Sequence, residues 1–165
     1  MPARIRSCFA AMLLLLVPPF SAAPSHAAGT STEGIPILVY HRFDPSQSGS
    51  TTVRASVFKA QLEWLDSHHV RVVKLGAVVD ALRGVGPEVK TPAVVLTVDD
   101  GNRSVYTEMF PIVHKYRIHV TLFIYPSAIS NASYALTWKQ LREMRASGLV
   151  EVQSHTKSNQ RRGEV

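Results

Sequence analysis

Two carboxylates stand side by side at Asp99 and Asp100, with Gly101 behind them, and they close the apolar and β-branched run from Ala93 to Val98. Adjacent acids repel, so a fold holds such a pair at low cost only where water, backbone donors or a metal cation takes up the charge. The preceding run has no helical spacing and suits a strand buried on both faces of a parallel sheet. Gly101 permits a sharp exit, and ligand sites of parallel α/β folds gather at the carboxyl ends of the strands. A strand ending in an Asp-Gly turn, with one acid capping the next helix, accounts for the same residues without any chemistry.

Two histidines occupy equivalent places, His41 after the strand-like stretch Ile35 to Tyr40 and His155 after Leu149 to Ser154. A carboxylate and an imidazole make a reasonable ligand pair for zinc or a similar divalent ion that keeps an open position for water. A second carboxylate beside it would serve as general base. The plain alternative for His155 is a lone capping or surface histidine.

The elements that must position these groups alternate. Ser56 is a fair N-cap for a helix that buries Phe58, Leu62 and Leu65, with Val57, Gln61 and Trp64 on the neighbouring row. Val70 to Leu75 reads as a strand, and Ala77 to Arg83 as a short helix stopped by Gly84. After the acid-bearing strand, a helix from about Arg103 aligns Val105, Met109, Ile112 and Tyr116, bent or restarted at Pro111. Ile118 to Tyr125 is a further apolar strand; Thr137 and Gln140 form a capping-box pair opening a helix through Ala146, and Gly148 closes it. Such alternation predicts an α/β fold with a parallel sheet, either open or part of a β/α barrel.

The 165 residues suffice for one domain, and 45% hydrophobic content is that of a globular chain. Arg4 and Arg6 precede the apolar run Phe9 to Val17, then Pro18-Pro19 and a small-residue stretch ending at Ala27. That run is shorter than the roughly 20 residues a membrane span needs, and the order of regions is that of a secretory signal peptide. We therefore expect residues 1–27 to be a signal peptide and 28–34 a Gly/Ser/Thr-rich linker. Cys8, the one cysteine, lies inside the signal, so the mature chain would hold neither thiol nor disulfide. With Arg4 and Arg6 removed, the formal charge falls by two from +6 to +4. That excess reads as solubility and weak attraction to acidic surface polymers, not as nucleic-acid binding, and cleavage of the signal would leave no stable membrane span.

With these residues in view, the sequence resembles a known family. Leu96 to Gly101 looks like the Thr-Phe-Asp-Asp-Gly motif of the polysaccharide deacetylases (carbohydrate esterase family four), with Val98 in place of Phe. Ser154-His155-Thr156 resembles the start of their His-Ser/Thr-x-x-His motif, and Ile37 to Phe43 the opening of the branch that de-N-acetylates poly-N-acetylglucosamine. The resemblance implies a distorted β/α barrel, here incomplete at its carboxyl end, with residues 35–156 as a partial catalytic domain. It makes Asp99 the general base, Asp100 and His155 ligands of a divalent metal, zinc foremost, and leaves His41 lining the substrate site. The implied reaction is hydrolysis of acetamide groups on an exported N-acetylglucosamine polysaccharide, in the periplasm, cell envelope or medium.

The family's second metal histidine falls where this chain has Asn159, and residues 157–165 hold one apolar side chain, Val165. We expect that stretch to be a non-family tail and the enzyme to be impaired by truncation. A non-catalytic glycan-binding remnant is the alternative. A barrel glycosidase ranks last, because its two carboxylates should face each other about 5–9.5 Å apart across the sugar. N-terminal sequencing of exported protein should give a start near Ala28; an intact Met1 on cytosolic protein would refute export.

Overall fold

A computed structural model describes residues 34–156. The expected signal peptide, most of the linker and the tail at 157–165 lie outside the described residues. In chain order the elements are β1 (Ile37–Tyr40), β2 (Arg42–Asp44), β3 (Thr52–Arg54), α1 (Ala55–Ser67), β4 (Arg71–Val72), α2 (Leu75–Leu82) and β5 (Ala93–Asp100). A π-helical turn (Val105–Met109) then runs into α3 (Phe110–Tyr116), followed by β6 (Val120–Ile124), α4 (Trp138–Ala146) and β7 (Val150–Ser154).

β5 is the axis. It pairs in parallel with β1 and with β6, β7 continues the sheet beyond β6, and the short β4 joins the beginning of β5. Paired along both edges and covered on both faces, its first six residues are all buried, which is why they read as an unbroken apolar run. Strand alternation sorts the side chains. Leu96 and Val98 face the main core with Leu122, Ile124, Phe58, Leu62 and Met109. Ala93 and Val95 face a smaller cluster with Val78 and Val89, against which Leu75 of α2 packs. Farther along that second face the cover ends. Ile37 and Val39 on the edge strand are 49% and 54% exposed.

Several local expectations shift. Ser56 is not the N-cap of α1: Arg54 occupies that place with no side-chain bond, because the β2–β3 pairing feeds the chain straight into the helix. The expected buried face of that helix, Phe58, Leu62 and Leu65, does form. The segment 45–50, read as loop, is bracketed by the small parallel pair β2 and β3, too short for periodicity to reveal. Of Val70 to Leu75 only Arg71–Val72 is strand, and Leu75 already opens α2.

The helix after the acid pair has a different buried row. Val105, Met109 and Val113 are fully buried, whereas the expected Ile112 and Tyr116 are only partly so. The π-helical turn explains the change. An i→i+5 turn takes in one extra residue, so the helix beyond it is rotated and Val113 inherits the core position.

At α4 the local reading holds in detail. The Gln140 N–H donates to the Thr137 hydroxyl, and the Thr137 N–H donates to the Gln140 side-chain carbonyl at 2.9 Å. Gly148 follows at φ 73°. Since this cap orients the helix that leads into β7, Thr137→Ala should lower stability by about 1 kcal/mol in denaturant unfolding without changing the fold.

Candidate functional site

Register brings the rim together. Asp99 and Asp100 lie opposite Phe123 and Ile124 of β6, and Ile124 lies opposite Ser154 of β7. The His155 N–H then donates to the Ile124 carbonyl at 2.9 Å, extending the ladder by one bond past the strand. As a result the His155 Nε2 stands 3.6 Å from Asp99 Oδ2, with side chains 32% and 21% exposed respectively. That separation is too long for a hydrogen bond and is the spacing of an ion pair when the imidazole is protonated. Both groups border a groove of about 370 Å³ whose walls include Val39, Leu75, Thr97 and Phe123.

The two acids do not share this groove. The Gly101 N–H donates to the Asp99 carbonyl at 2.9 Å across Asp100, whose φ is 69°. A hydrogen bond over two residues with positive φ at the centre is a γ-turn in its strained form. By alternation Asp99 stays on the face of Thr97 and Phe123, while the turn carries Asp100 out of the strand's course and beside Tyr125. Repulsion between the neighbours is thereby reduced by geometry. Tyr125 is 7% exposed. Burial, then the nearby Asp100 carboxylate and a hydrogen bond to it, push the phenol above its ordinary value. Its ring also lies 4.6 Å from the His155 ring, tilted by 36°.

The turn is held from behind. The Leu136 N–H donates to the Gly101 carbonyl at 2.9 Å, the Arg103 N–H to the Tyr134 carbonyl at 2.7 Å, and Asn102 forms a bridge with Ala135. On its other side the Ser104 hydroxyl donates to Asn102 Oδ1 at 2.8 Å and accepts the Phe43 N–H at 3.0 Å. Gly101 itself has φ 70°, and a Cβ there would approach Ile124 Cγ2 to 3.1 Å and Ile129 Cδ1 to 3.2 Å. Only glycine meets both conditions.

His41 follows β1 directly, one residue past the pair Tyr40 and Val98. It lines an adjoining depression of about 370 Å³ with residues 48–53, and that depression shares Val39 with the groove. The structure therefore unites Asp99, Asp100 and His155 around Tyr125, with His41 next door. Tyr125 went unread in the sequence. Its one signal was an aromatic directly after the strand that neighbours the acid-bearing one.

Asp100 and His155 fit a divalent ion in kind, offering one hard oxygen and one imidazole nitrogen. They fall short in number: among the described residues no group of three or more His, Cys, Asp and Glu is placed to hold one. Position 159 lies outside them. Because a left-handed conformation costs an L-residue with a Cβ about 1–2 kcal/mol, Asp100→Gly should unfold at higher denaturant than Asp100→Ala, though both lose the carboxylate.

The chain matches the polysaccharide deacetylase family over residues 86–164. It is 33% identical over 119 residues to the poly-beta-1,6-N-acetyl-D-glucosamine N-deacetylase of Escherichia coli (strain K12), a match covering 64% of this chain and 18% of that protein. In three dimensions it is similar to IcaB from Ammonifex degensii, with TM-score 0.66 and 29% identity over 76% of this chain and 55% of that one. It is also similar to the Streptococcus pyogenes deacetylase PplD in complex with acetate, with TM-score 0.65 and 28% identity over 74% and 56% of the two chains. The chain thus spans about half the length of these solved relatives and less of the Escherichia coli protein. Its parallel α/β arrangement is that of the deacetylase structures, and the Asp-Asp-Gly turn and His155 lie within the matched span. Residues 86–164 thus match the polysaccharide deacetylase family, and the described fold is similar to that of solved deacetylases.

Proposed function

We propose that the groove removes acetyl groups from an N-acetylglucosamine polysaccharide outside the cytoplasm. The observation that carries this reading is the spacing of 3.6 Å between the Asp99 carboxylate and the His155 imidazole on a groove rim, with Asp100 one residue away on its own turn. The β-1,6-linked polymer in the Escherichia coli relative's name supplies the substrate class. The expected signal peptide supplies the location, and among the described residues no helix is long and apolar enough to cross a membrane.

Asp99 is the proton acceptor. Its Oδ2 faces His155, which leaves Oδ1 to take the proton from a water that attacks the acetamide carbonyl. The groove wall of Val39, Leu75 and Phe123 offers apolar surface to the methyl group and the sugar face, and restricts water around Asp99. Asp100 and His155 would hold a divalent cation, zinc being most in keeping with a carboxylate and an imidazole, and it would supply polarisation of the carbonyl and stabilisation of the oxyanion. Division of the acids by the γ-turn supports division of their roles. One faces the groove and His155, and the other is turned toward Tyr125.

A second reading, a glycan-binding protein without turnover, is favoured by the shortage of ligands among the described residues. Acetate release from a β-1,6-N-acetylglucosamine oligomer, with and without chelator, separates the two. Chelator-sensitive release supports the enzyme. Binding of the oligomer with no release supports the second reading. In an active protein Asp99→Asn should cut turnover by about 100-fold or more while zinc content is unchanged, because it removes only the proton acceptor. Equal zinc loss in Asp99→Asn and Asp100→Ala would overturn the assignment of roles.

A further inference from the structure

We infer that the groove between the π-helical turn with α3 and the helix α4 is a second carbohydrate site, which holds de-N-acetylated, ammonium-bearing glucosamine units of the polymer away from the rim. This rests on the reading of the substrate as an N-acetylglucosamine polysaccharide, since loss of an acetyl group from that polymer uncovers an amine.

One helical row builds the aromatic wall. Val105, Met109 and Val113 turn into the main core, and the next row, Tyr106, Phe110 and His114, borders a cavity of about 780 Å³ that Glu143 of α4 and Ser147 at its end close from the other side. The Tyr106 and Phe110 rings lie 5.9 Å apart between centroids and 20° from parallel. The His114 imidazole continues the row, 5.8 Å from the Phe110 ring at 66°. Tyr106 and Phe110 pack against the main core and remain partly open, while His114 is exposed. Ring surface of this kind takes the C–H face of a pyranose and also attracts a cation.

This groove has no wall in common with the rim. The rim groove lies on the face of Thr97 and Phe123, whereas α3 and α4 cover the opposite face of the sheet, with Val113, Leu141 and Met144 packed on Leu96 and Val98. The sheet stands between the two.

The polar lining selects the occupant. Glu143 Oε2 accepts the Tyr106 hydroxyl at 2.9 Å, and among the described residues no lysine, arginine or histidine stands within ion-pair distance of this carboxylate. A second tyrosine–glutamate pair provides the contrast. Tyr116 donates to Glu63 at 2.9 Å, but Glu63 is already paired with Lys59. A carboxylate that is oriented by a phenol, lacks a counter-ion and stands beside aromatic rings offers a cation both a charge-assisted hydrogen bond and cation–π attraction. The Ser147 hydroxyl adds little, because it donates to the Met144 carbonyl and accepts the Leu149 N–H. Thr107 is left for a sugar hydroxyl. An acetylated unit presents a neutral amide where the de-N-acetylated one presents an ammonium, so it meets the rings without the charge. One exposed ion pair is weak, and retention of the polymer comes from the repetition of such units along the chain.

The test titrates the full, metal-free chain with a fully de-N-acetylated β-1,6-linked glucosamine tetramer, at a pH that keeps its amines protonated, and separately with the N-acetylated tetramer. Nuclear magnetic resonance should show the glucosamine tetramer shifting the ring signals of Tyr106, Phe110 and His114 and the Glu143 carboxyl carbon. Glu143→Gln should weaken this binding by about 3–5-fold and Glu143→Lys by about 10-fold or more, the first removing the charge and the second reversing it. Glu88→Gln removes an exposed acid outside the groove and should leave the affinity unchanged, which separates local recognition from net charge. The N-acetylated tetramer should bind here at least about 3-fold more weakly than the glucosamine tetramer. Ring signals that stay still, equal affinity for the two tetramers, or equal losses in Glu143→Gln and Glu88→Gln would overturn the inference. The rim is judged apart from this: acetate release by the zinc-loaded chain with no shifts at Tyr106 and Phe110 keeps the enzyme and sinks the second site. Shifts there with no acetate release keep the second site and sink turnover at the rim.

Discussion

Two main-chain hydrogen bonds, from Leu136 N–H to the Gly101 carbonyl and from Arg103 N–H to the Tyr134 carbonyl, hold the rim in place. A γ-turn with an aspartate at φ 69° does not persist unless its surroundings over-determine it. Here they do. The strand before the turn is buried on both faces, Gly101 at the end of the turn has no room for a side chain, and the segment after it is bonded to residues 134–136 and, through Ser104, to Phe43. Strain at Asp100 is thus balanced by ordinary secondary structure close by, which is how a fold keeps two adjacent acids without burying them both.

Polarity is graded along β5 on its second face. Ala93 and Val95 lie in the small cluster with α2, Thr97 is buried with a hydroxyl, and Asp99 at the rim is partly open to water. Thr121 repeats the middle step on β6. The charge therefore appears only where solvent can share its cost, and the apolar lower part of the same face keeps the sheet tight beneath it. The main core on the other face is independent of this gradient. Substitutions there act on stability without touching the groove.

The sequence made part of this legible. Strands of a parallel sheet present their carboxyl ends on one side, so a reader who finds the strands also finds that Asp99, Asp100 and His155 share a rim. The capping box at Thr137 and the buried face of α1 were equally readable, because they depend on residues within one or two turns. What could not be read depends on dihedral angles or distant pairing. Divergence of the two acids rests on the φ of Asp100, and Tyr125 matters only through the registers of β5, β6 and β7. The π-helical turn moved the core position from Ile112 to Val113 because one extra residue in a turn leaves no mark in composition. His41 was readable as a strand-end residue, but its depression is shaped by residues 48–53, a loop whose path the sequence does not specify.

The order of strands has a consequence in time. Asp99 and Asp100 come from the middle of the described chain, but His155, the partner of Asp99, follows β7, the last of the described elements. Until β7 docks on β6, the acid turn can form and even be clamped, yet it faces no imidazole. A nascent chain that lacks β7 therefore carries the acid turn without the imidazole. Asp99 and His155 thus meet only once β7 has docked on β6, which makes the joining of the rim a late step of folding among the described elements.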